Sequence, residues 1–301
     1  MNSRCKITFV AVSLALAATV SHAASSSSAQ IGPVGYTLID LNPNDGIAPT
    51  ITWATPYPGY GDYAYATAYD TAANNYPSQT NWGTNNFSTV SANAATALSG
   101  ASTKLNGGLD VNAPAGATLS SSGYANGTTV AGQYSYYNAY GYMPYYGYGG
   151  AFTLGAGTAV LFTTQASASA TTTVGYDGVG SEYGSSYARL DVWGSQPSGD
   201  GGSQNSSASF NAYAGDTATW TWNDVTQQYD YVYSGQQQSF SGVLSGAYVN
   251  ATATDKLGYF MATTQVSGYS SIAAVPEPET YAMLLAGLGL VGTMARRRRR
   301  S

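Results

Sequence analysis

Cysteine and histidine are almost missing from this 301-residue sequence. There is one of each, Cys5 and His22, and both lie near the N-terminus. From residue 24 onward the chain has neither a thiol nor an imidazole. This excludes disulfides within that part of the chain, and it excludes Ser-His-Asp and Cys-His catalysis there. The usual zinc sites also lose their nitrogen and sulfur ligands.

Charged side chains are scarce and mostly acidic. They make up 8% of the sequence, and residues 24–274 contain thirteen acidic and three cationic side chains, which gives a net charge near −10. Because affinity for nucleic acid depends on lysine and arginine contacts to phosphate, we expect no nucleic-acid partner.

Motifs for covalent or nucleotide chemistry are missing too. There is no G-x-S-x-G, no P-loop and no G-x-G-x-x-G, and alanine stands three positions before both Lys104 and Lys256, so S-x-x-K is not formed. We therefore expect the protein not to be an enzyme. A glycosidase that uses two carboxylates is the remote alternative. Its candidate residues are Asp216, Asp224, Asp230 and Glu182.

No long amphipathic helix is visible in residues 24–274. Tyr, Thr, Val, Ser, Gly and Asn dominate this part, and they favour strands and turns. Strands are predicted at residues 36–41, 50–54, 62–69, 117–124, 129–137, 151–154, 158–168, 188–193, 207–213, 217–222 and 229–233, with a final hairpin of 247–254 and 257–266. The predicted fold is mainly β, a single-domain antiparallel β-sandwich or jelly roll.

Other segments are predicted from composition. We expect a flexible leader at residues 24–30, a short helix competing with strand structure at 86–98, and loops at 195–207 and 234–239. The loop at 195–207 is also the one place where two subdomains could divide.

The N-terminus has the features of a secretory signal peptide. Arg4 and Lys6 precede an apolar run from residue 7 to 20, and small residues stand at the positions that a signal peptidase inspects. We predict cleavage between Ala23 and Ala24. Signal peptidase is thus an expected partner.

The C-terminus combines three short elements. Residues 280–295 are apolar and would span about 24 Å as a helix, somewhat less than a hydrocarbon core of roughly 30 Å. Cationic side chains follow and would remain in the cytoplasmic headgroup layer. They are Arg296, Arg297, Arg298, Arg299 and Arg300. The residues before the apolar run are Val275, Pro276, Glu277, Pro278 and Glu279.

These three elements, in this order, closely resemble the PEP-CTERM sorting signal of Gram-negative bacteria. The resemblance covers about a tenth of the chain. It implies a single transmembrane sorting helix that resides transiently in the inner membrane, where an exosortase recognises Pro276, Glu277 and Pro278 and removes or exchanges the helix. It also implies a final location at the cell surface or in the extracellular matrix, often alongside exopolysaccharide production.

One short segment has the oxygen-rich composition of a calcium loop. In residues 40–46, Asp40, Asn42 and Asn44 stand at alternate positions, but glycine and glutamate are missing from the places where an EF-hand requires them. Pro43 and the Asn44-Asp45-Gly46 run favour a tight turn between two strands. We predict the turn and no cofactor, with calcium at Asp40–Asp45 as a weaker alternative.

Residues 134–148 contain eight tyrosines in fifteen residues. Glycine and proline are predicted to break any strand after Asn138, so some tyrosines must be exposed. They would either bind sugars or proteins, or pack back over the sheet edge as a mobile loop. The candidate ligand residues are Tyr140, Tyr142, Tyr145, Tyr146 and Tyr148.

The alternation of side chains along predicted strands indicates different environments for the tryptophans. Trp220 and Trp222 alternate with threonines, and we predict core or sheet-face packing for both. Trp193 is predicted to face outward, beside an Arg189–Asp191 pair on the same face, and it joins the candidate ligand surface.

The sequence therefore predicts a non-catalytic exported protein of the cell surface or extracellular matrix. Its expected role is structural or adhesive and linked to exopolysaccharide or biofilm. The alternative is a carbohydrate-binding module with an aromatic site.

Overall fold

The computed structural model describes residues 24–54, 61–110, 113–128, 132–144, 150–176, 179–195 and 203–271. Within these ranges the chain forms strands and turns and no helix. The described residues accordingly include no helix able to cross a membrane. The predicted signal peptide, the sorting motif, the apolar segment and the arginines lie outside the described residues.

Two antiparallel sheets form a sandwich. Sheet 1 contains β1 (Ala24–Ile31), β2 (Gly35–Asp40), β6 (Val90–Ala95), β7 (Ser99–Asn106), β8 (Thr118–Asn126), β11 (Thr158–Thr172) and β16 (Gln237–Asn250). Sheet 2 contains β3 (Ile51–Trp53), β4 (Tyr63–Asp70), β5 (Ser78–Trp82), β9 (Ser135–Met143), β10 (Ala151–Leu154), β12 (Glu182–Ser195), β13 (Ser203–Ala214) and β17 (Lys256–Ser270). A separate hairpin consists of β14 (Thr217–Asn223) and β15 (Gln228–Ser234).

The strand order explains how the faces are assembled. Sheet 1 runs β16-β11-β1-β8-β7-β6, and β2 pairs with the first part of β11. Sheet 2 runs β13-β12-β17-β9-β4-β5, and β10 pairs with the first part of β17 and with β3. The mainly β, antiparallel prediction is confirmed.

Small and aromatic side chains alternate in the core between the sheets. At one end, phenylalanine rings surround Trp53, including Phe87 at 5.8 Å and Phe152 at 5.4 Å between centroids. At the other end, Tyr137 is fully buried and its hydroxyl hydrogen-bonds Ser27 at 2.8 Å. A Cβ at Gly123 would lie 2.1 Å from the Tyr137 ring, so glycine within β8 gives that ring its space.

Amide side chains join the two sheets along both open sides. On one side the Gln79 side-chain oxygen accepts the Asn93 backbone N–H at 2.7 Å. On the other side the Gln204 oxygen accepts the Val249 N–H at 2.7 Å, and Gln238 accepts from Tyr213 at 3.0 Å. Exposed strand edges attract other chains, and each of these contacts occupies one edge N–H group, in β6, β16 and β13 respectively.

The predicted flexible leader is wrong. Residues 24–31 form β1, which lies in the middle of sheet 1 and pairs with both β11 and β8. Its serines are small enough to fit between the sheets, and Ser25 and Ser27 are buried. A serine run was interpreted as mobile, but pairing on both sides orders it.

The short helix that could compete at residues 86–98 does not form over Val90–Ala95, because β6 occupies these residues and pairs with β7. The alanines that suggested a helix alternate instead, with Ala92 and Ala94 buried. Tertiary burial outweighs the helix propensity of alanine here.

The predicted final hairpin is a crossover between sheets. β16 pairs with β11 in sheet 1, whereas β17 pairs with β12 and β9 in sheet 2. Asn250 holds the connection because its side-chain NH₂ donates to the carbonyls of Leu154 and Thr254, each at 2.9 Å.

The predicted strand at residues 129–137 is displaced toward the C-terminus. β9 spans Ser135–Met143, so glycine does not end it at Asn138. A Cβ at Gly141 would lie 2.8 Å from both Leu119 and Thr103 across the core, which makes that glycine a packing requirement. Residues 129–131 lie outside the described ranges.

Both predicted loops are shorter than expected. β13 begins at Ser203 and β16 at Gln237, within the segments predicted as loops. Residues 196–202, between β12 and β13, are not among the described residues.

Candidate functional site

Four tyrosines stand directly opposite one another across four neighbouring strands of sheet 2. Tyr183 in β12 pairs with Tyr269 in β17, Tyr269 pairs with Tyr136 in β9, and Tyr136 pairs with Tyr69 in β4. Opposite residues of antiparallel strands point to the same side of a sheet, here the outer side. Two more tyrosines extend the line at its ends. The tyrosine row is defined as Tyr213, Tyr183, Tyr269, Tyr136, Tyr69 and Tyr76.

Ring contacts make the tyrosine row continuous at both ends. The Tyr183 ring meets Tyr269 edge-on at 4.7 Å and is stacked with Tyr213 at 6.3 Å and 16°. At the other end Tyr69 meets Tyr76 at 5.5 Å. Such pairs stabilise the sheet by about 0.5–1.5 kcal/mol each beyond the area that they bury.

Burial favours the protonated hydroxyl at two positions of the tyrosine row. Burial raises the pKa of Tyr136 to about 12 and also raises the pKa of Tyr213. The end rings are the most accessible, with Tyr76 58% and Tyr213 54% exposed. The row therefore presents apolar ring surface together with hydroxyl groups that both donate and accept hydrogen bonds.

A second aromatic group lies beside the row, on β4, β5 and β9. Tyr63 is opposite Tyr142, and Tyr65 is opposite Tyr140, with the Tyr65 and Tyr140 rings 4.8 Å apart. Trp82 meets Tyr63 edge-on at 4.5 Å. The predicted ligand residues Tyr140 and Tyr142 thus belong to a strand and not to a mobile loop. Tyr145, Tyr146 and Tyr148 lie outside the described residues.

Trp193 lines a cleft of about 370 Å³ on the same outer face. Its indole is stacked on Tyr259 at 5.4 Å and 14°, and both side chains face outward as predicted for Trp193. The cleft, called the Trp193 cleft below, also contains Arg189, Asp191 and Asn205.

An ion pair forms one side of the Trp193 cleft. Arg189 contacts Asp191 at 2.6 Å and donates to the Tyr187 hydroxyl at 3.0 Å. The predicted pair therefore exists, although Asp191 is only 4% exposed despite its outward position. The other carboxylate oxygen of Asp191 is buried without a hydrogen-bond partner.

The outer face of sheet 1 has a different composition. Ser28 in β1 is opposite Ser169 in β11 and Ser122 in β8, and the Ser28 and Ser169 hydroxyls are 2.8 Å apart. Ser239 and Ser102 continue the line onto β16 and β7. We call these five residues the serine row. Tyr124 is an exposed aromatic side chain two residues after Ser122, and its ring lies over Gly100.

The carboxylates considered for glycoside cleavage are engaged in turns where the structure shows their contacts. One oxygen of the buried Glu182 accepts the backbone N–H groups of Thr173, Val174 and Gly175 at 2.9–3.1 Å. Asp230 accepts from the Asn223 side chain at 2.7 Å. Glu182 therefore shapes the turn before β12.

The segment considered for calcium forms the predicted turn. The Asp40 carboxylate accepts the Asn42 N–H and the Asp45 carboxylate accepts the Ile47 N–H, each at 2.8 Å. Over the described ranges, no three His, Cys, Asp or Glu side chains gather closely enough to hold a metal ion.

Trp220 and Trp222 were predicted to pack in the core or on a sheet face, and they lie on a sheet face and not in the core. They stand on the β14–β15 hairpin and are 66% and 46% exposed. Alternation correctly indicated a strand, but it does not show what covers either face. Trp53 is the tryptophan that packs in the core.

Sequence reasoning missed most of the tyrosine row as well as Tyr259. The available signal was tyrosine at alternate positions, as in Tyr63 and Tyr65. Alternation places such residues on one face of one strand, but only the pairing register shows that tyrosines of four strands are aligned.

Comparison with family models identifies residues 274–300 as a PEP-CTERM protein-sorting motif. Comparisons with curated proteins and with solved structures gave no significant match. The recognition made from residues 275–300 is thereby confirmed, and the β-sandwich lies outside the matched region. The chain carries a PEP-CTERM protein-sorting motif at its C-terminus, which implies an exported protein that an exosortase sorts toward the cell surface or extracellular space.

Proposed function

We propose that the protein is a non-catalytic structural or adhesive component of the cell surface or extracellular matrix, linked to exopolysaccharide or biofilm. The tyrosine row is the observation that supports this role. It offers a line of amphipathic rings that runs across sheet 2, perpendicular to its strands.

The chemistry of the row suits many weak contacts. Each ring provides apolar area and a hydroxyl at little cost in side-chain entropy. Several such contacts along one polymer act together, so binding strengthens without a deep pocket. Because residues 24–274 carry a net charge near −10, we expect neutral polymers to be favoured over acidic ones.

Retention on matrix material tests this proposal. We compare the secreted protein with a Tyr76→Ser/Tyr213→Ser variant, which removes the two most exposed rings of the row and leaves its centre intact. The matched control is Tyr124→Ser, which removes an exposed ring from the other face. Retention on polysaccharide isolated from producing cells should fall at least about tenfold in the double variant and less than about twofold in the control, since each lost contact contributes on the order of 1 kcal/mol.

Equal retention of the three proteins would contradict the proposal. Thermal unfolding of each protein supplies the necessary control for folding. Unchanged transitions would show that a change in retention arises at the surface.

The second candidate function is a carbohydrate-binding module that uses the Trp193 cleft. One observation favours it: the cleft combines a stacked indole with an ion pair and an amide. A sugar ring has an apolar face and equatorial hydroxyls, and it requires both kinds of contact.

A glycan array followed by calorimetry separates the two candidates. The module requires saturable binding to one sugar class, with at least about a tenfold loss in Trp193→Ala. The control is Trp222→Ala, which removes an exposed indole outside the cleft. Weak binding to many glycans, unchanged in Trp193→Ala, would favour the adhesive role and exclude the module.

A further inference from the structure

The β14–β15 hairpin has one aromatic face and one polar face. Trp220 is opposite Tyr231, and Trp222 is opposite Tyr229, so these four rings share one side. Tyr233 stands on the same side opposite Ala218. The other side carries threonines at 217, 219 and 221 and Asn, Gln and Asp side chains, with Val232 as its one large apolar side chain. The aromatic face is defined as Trp220, Trp222, Tyr229, Tyr231 and Tyr233.

Four rings of the aromatic face are largely accessible. Trp220 is 66% exposed, and Tyr229 and Tyr231 are 53% and 56% exposed. Ring contacts join members of the aromatic face within the hairpin, such as Trp222 to Tyr229 at 5.1 Å, and at its base Tyr233 meets Tyr176 at 4.5 Å. Soluble proteins seldom expose clustered aromatic side chains unless the surface binds something.

The hairpin also lacks the support that hairpins usually need. Among the described strands it pairs with no third strand and forms a two-stranded sheet of its own. An isolated two-stranded hairpin is only marginally stable in water, and packing of one face supplies the missing stability. A surface that covers the aromatic face would therefore stabilise the hairpin itself.

We infer that the aromatic face packs against the same face of a second copy of this chain. The face carries no charged side chain, although residues 24–274 have a net charge near −10. It is therefore a place where two acidic copies can approach with little repulsion. A two-fold axis between the copies places the rings of one aromatic face against the rings of the other. Aromatic rings pack favourably in offset or edge-on arrangements.

The composition of the aromatic face argues against a defined sugar site there. A defined site holds sugar hydroxyls with carboxylate, amide or guanidinium groups near the stacking ring, as in the Trp193 cleft, whereas the many weak contacts proposed for the tyrosine row do not require such groups. On the hairpin those groups are on the opposite face, where Asp230 is bound to Asn223. At two positions of the sandwich edges, Tyr213 and Val249, an amide side chain from the facing sheet already occupies the backbone N–H, which makes these positions poor alternatives for self-association.

The available area predicts a weak dimer. Four rings per copy, each about half exposed, would bury on the order of 800 Å² over two copies, using about 150–250 Å² for a whole ring. Stable interfaces bury about 1,200–2,000 Å² in total. We therefore expect dimers only at high protein concentration, as in a secreted matrix.

Sedimentation equilibrium of the secreted protein, from micromolar to millimolar concentration, tests this inference. The unmodified protein should pass from monomer toward dimer. Trp220→Ala/Tyr231→Ala should raise the dissociation constant at least about tenfold, because an opposite pair of rings is lost from each copy. The matched control, Thr219→Ala/Thr221→Ala, alters the other face and should dimerise like the unmodified protein.

A spin label on Val225 provides a second measurement in an intact hairpin. Val225 lies in the turn between the two strands and is 93% exposed, and the chain has no cysteine from residue 24 onward, so Val225→Cys gives one labelled site. A defined distance between labels of two copies should appear at high concentration. A label at Leu109, which is 94% exposed in the β7–β8 connection, should give a different and longer distance.

Two results would overturn the inference. The first is a monomer at millimolar concentration, and the second is a dimer that Trp220→Ala/Tyr231→Ala does not weaken. Neither result bears on the tyrosine row, so the adhesive proposal is tested independently.

Discussion

The two outer faces of the sandwich have the same backbone geometry and different side chains. On sheet 2, aligned positions of β12, β17, β9 and β4 carry tyrosine, whereas on sheet 1, aligned positions of β16, β11, β1, β8 and β7 carry serine. Neither row is needed to close the core, because its side chains point away from it. The difference therefore indicates what each face contacts outside the molecule.

The two sheets also differ in buried acid. Within the described residues, the buried carboxylates are Asp62, Asp70, Glu182 and Asp191, and all belong to strands of sheet 2 or to the residue that precedes β4. No strand of sheet 1 contains a buried carboxylate in this part of the chain. We therefore expect pH to act on the stability of the sandwich from the side of sheet 2, at Asp62 beside β4.

The largest expected effect concerns Asp62. Burial raises the pKa of Asp62 to about 7, against backbone hydrogen bonds from Ser88 and Phe87 that lower it. The folded chain thus binds this proton more tightly than the unfolded chain. The free energy of unfolding should fall as pH rises from about 4 to about 7, by up to about 4 kcal/mol at 1.36 kcal/mol per pKa unit.

Urea unfolding of Asp62→Asn across this pH window measures the effect. The variant should lose most of the pH dependence, because its amide stays neutral and can still accept a hydrogen bond from Ser88. Asp224→Asn, at an exposed hairpin turn, should retain the slope of the unmodified protein. As pH rises, amide hydrogen exchange should show a loss of protection in β4 and not in β1. An equal loss in both strands would contradict the expected difference between the two sheets.

A smaller effect should separate the two rows in stability. Tyr269→Ser removes the ring contact with Tyr183 and a 2.6 Å hydrogen bond to Ser181, at a cost of about 2 kcal/mol. Ser28→Ala removes one exposed hydroxyl contact and should cost less than about 0.5 kcal/mol. Urea unfolding of both variants measures the loss in free energy of unfolding. Equal losses would mean that the two rows contribute equally to stability.

The smallest effect is expected at the sides where the two sheets meet. Gln204→Ala frees the Val249 N–H at the edge of sheet 1 and should cost about 1 kcal/mol. Gln30→Ala, on the outer face of sheet 1, should be nearly neutral. Light scattering on storage should rise only for Gln204→Ala, since an open edge N–H favours pairing with other chains. If Gln30→Ala aggregated equally, the edge contacts would have no protective role.

Much of the fold could be predicted from alternation. Residues 188–193 and 217–222 were correctly expected to be strands because period-two burial is a local property. Alternation also placed Arg189, Asp191 and Trp193 on one face. The pairing partners were not predictable, as the crossover at Asn250 shows, because a short connection between strands is compatible with either one sheet or two.

Segments rich in small residues also made the secondary structure hard to predict. Serine in β1 and alanine in β6 suggested a leader and a helix, but in a sandwich with little space between its sheets these side chains form the core. The tyrosine row depends on register across four strands, and the Trp193 cleft depends on Tyr259 and Asn205 from neighbouring strands. Such long-range alignment leaves no local signal in the sequence.

Tyrosine nitration, read by mass spectrometry with and without isolated matrix polysaccharide, tests the central claim most directly. Tyr76 and Tyr213 at the ends of the tyrosine row and Tyr124 on the other face are similarly exposed. The account predicts that polysaccharide protects Tyr76 and Tyr213 from nitration and leaves Tyr124 reactive. Equal protection of all three, or protection of Tyr124 alone, would contradict it.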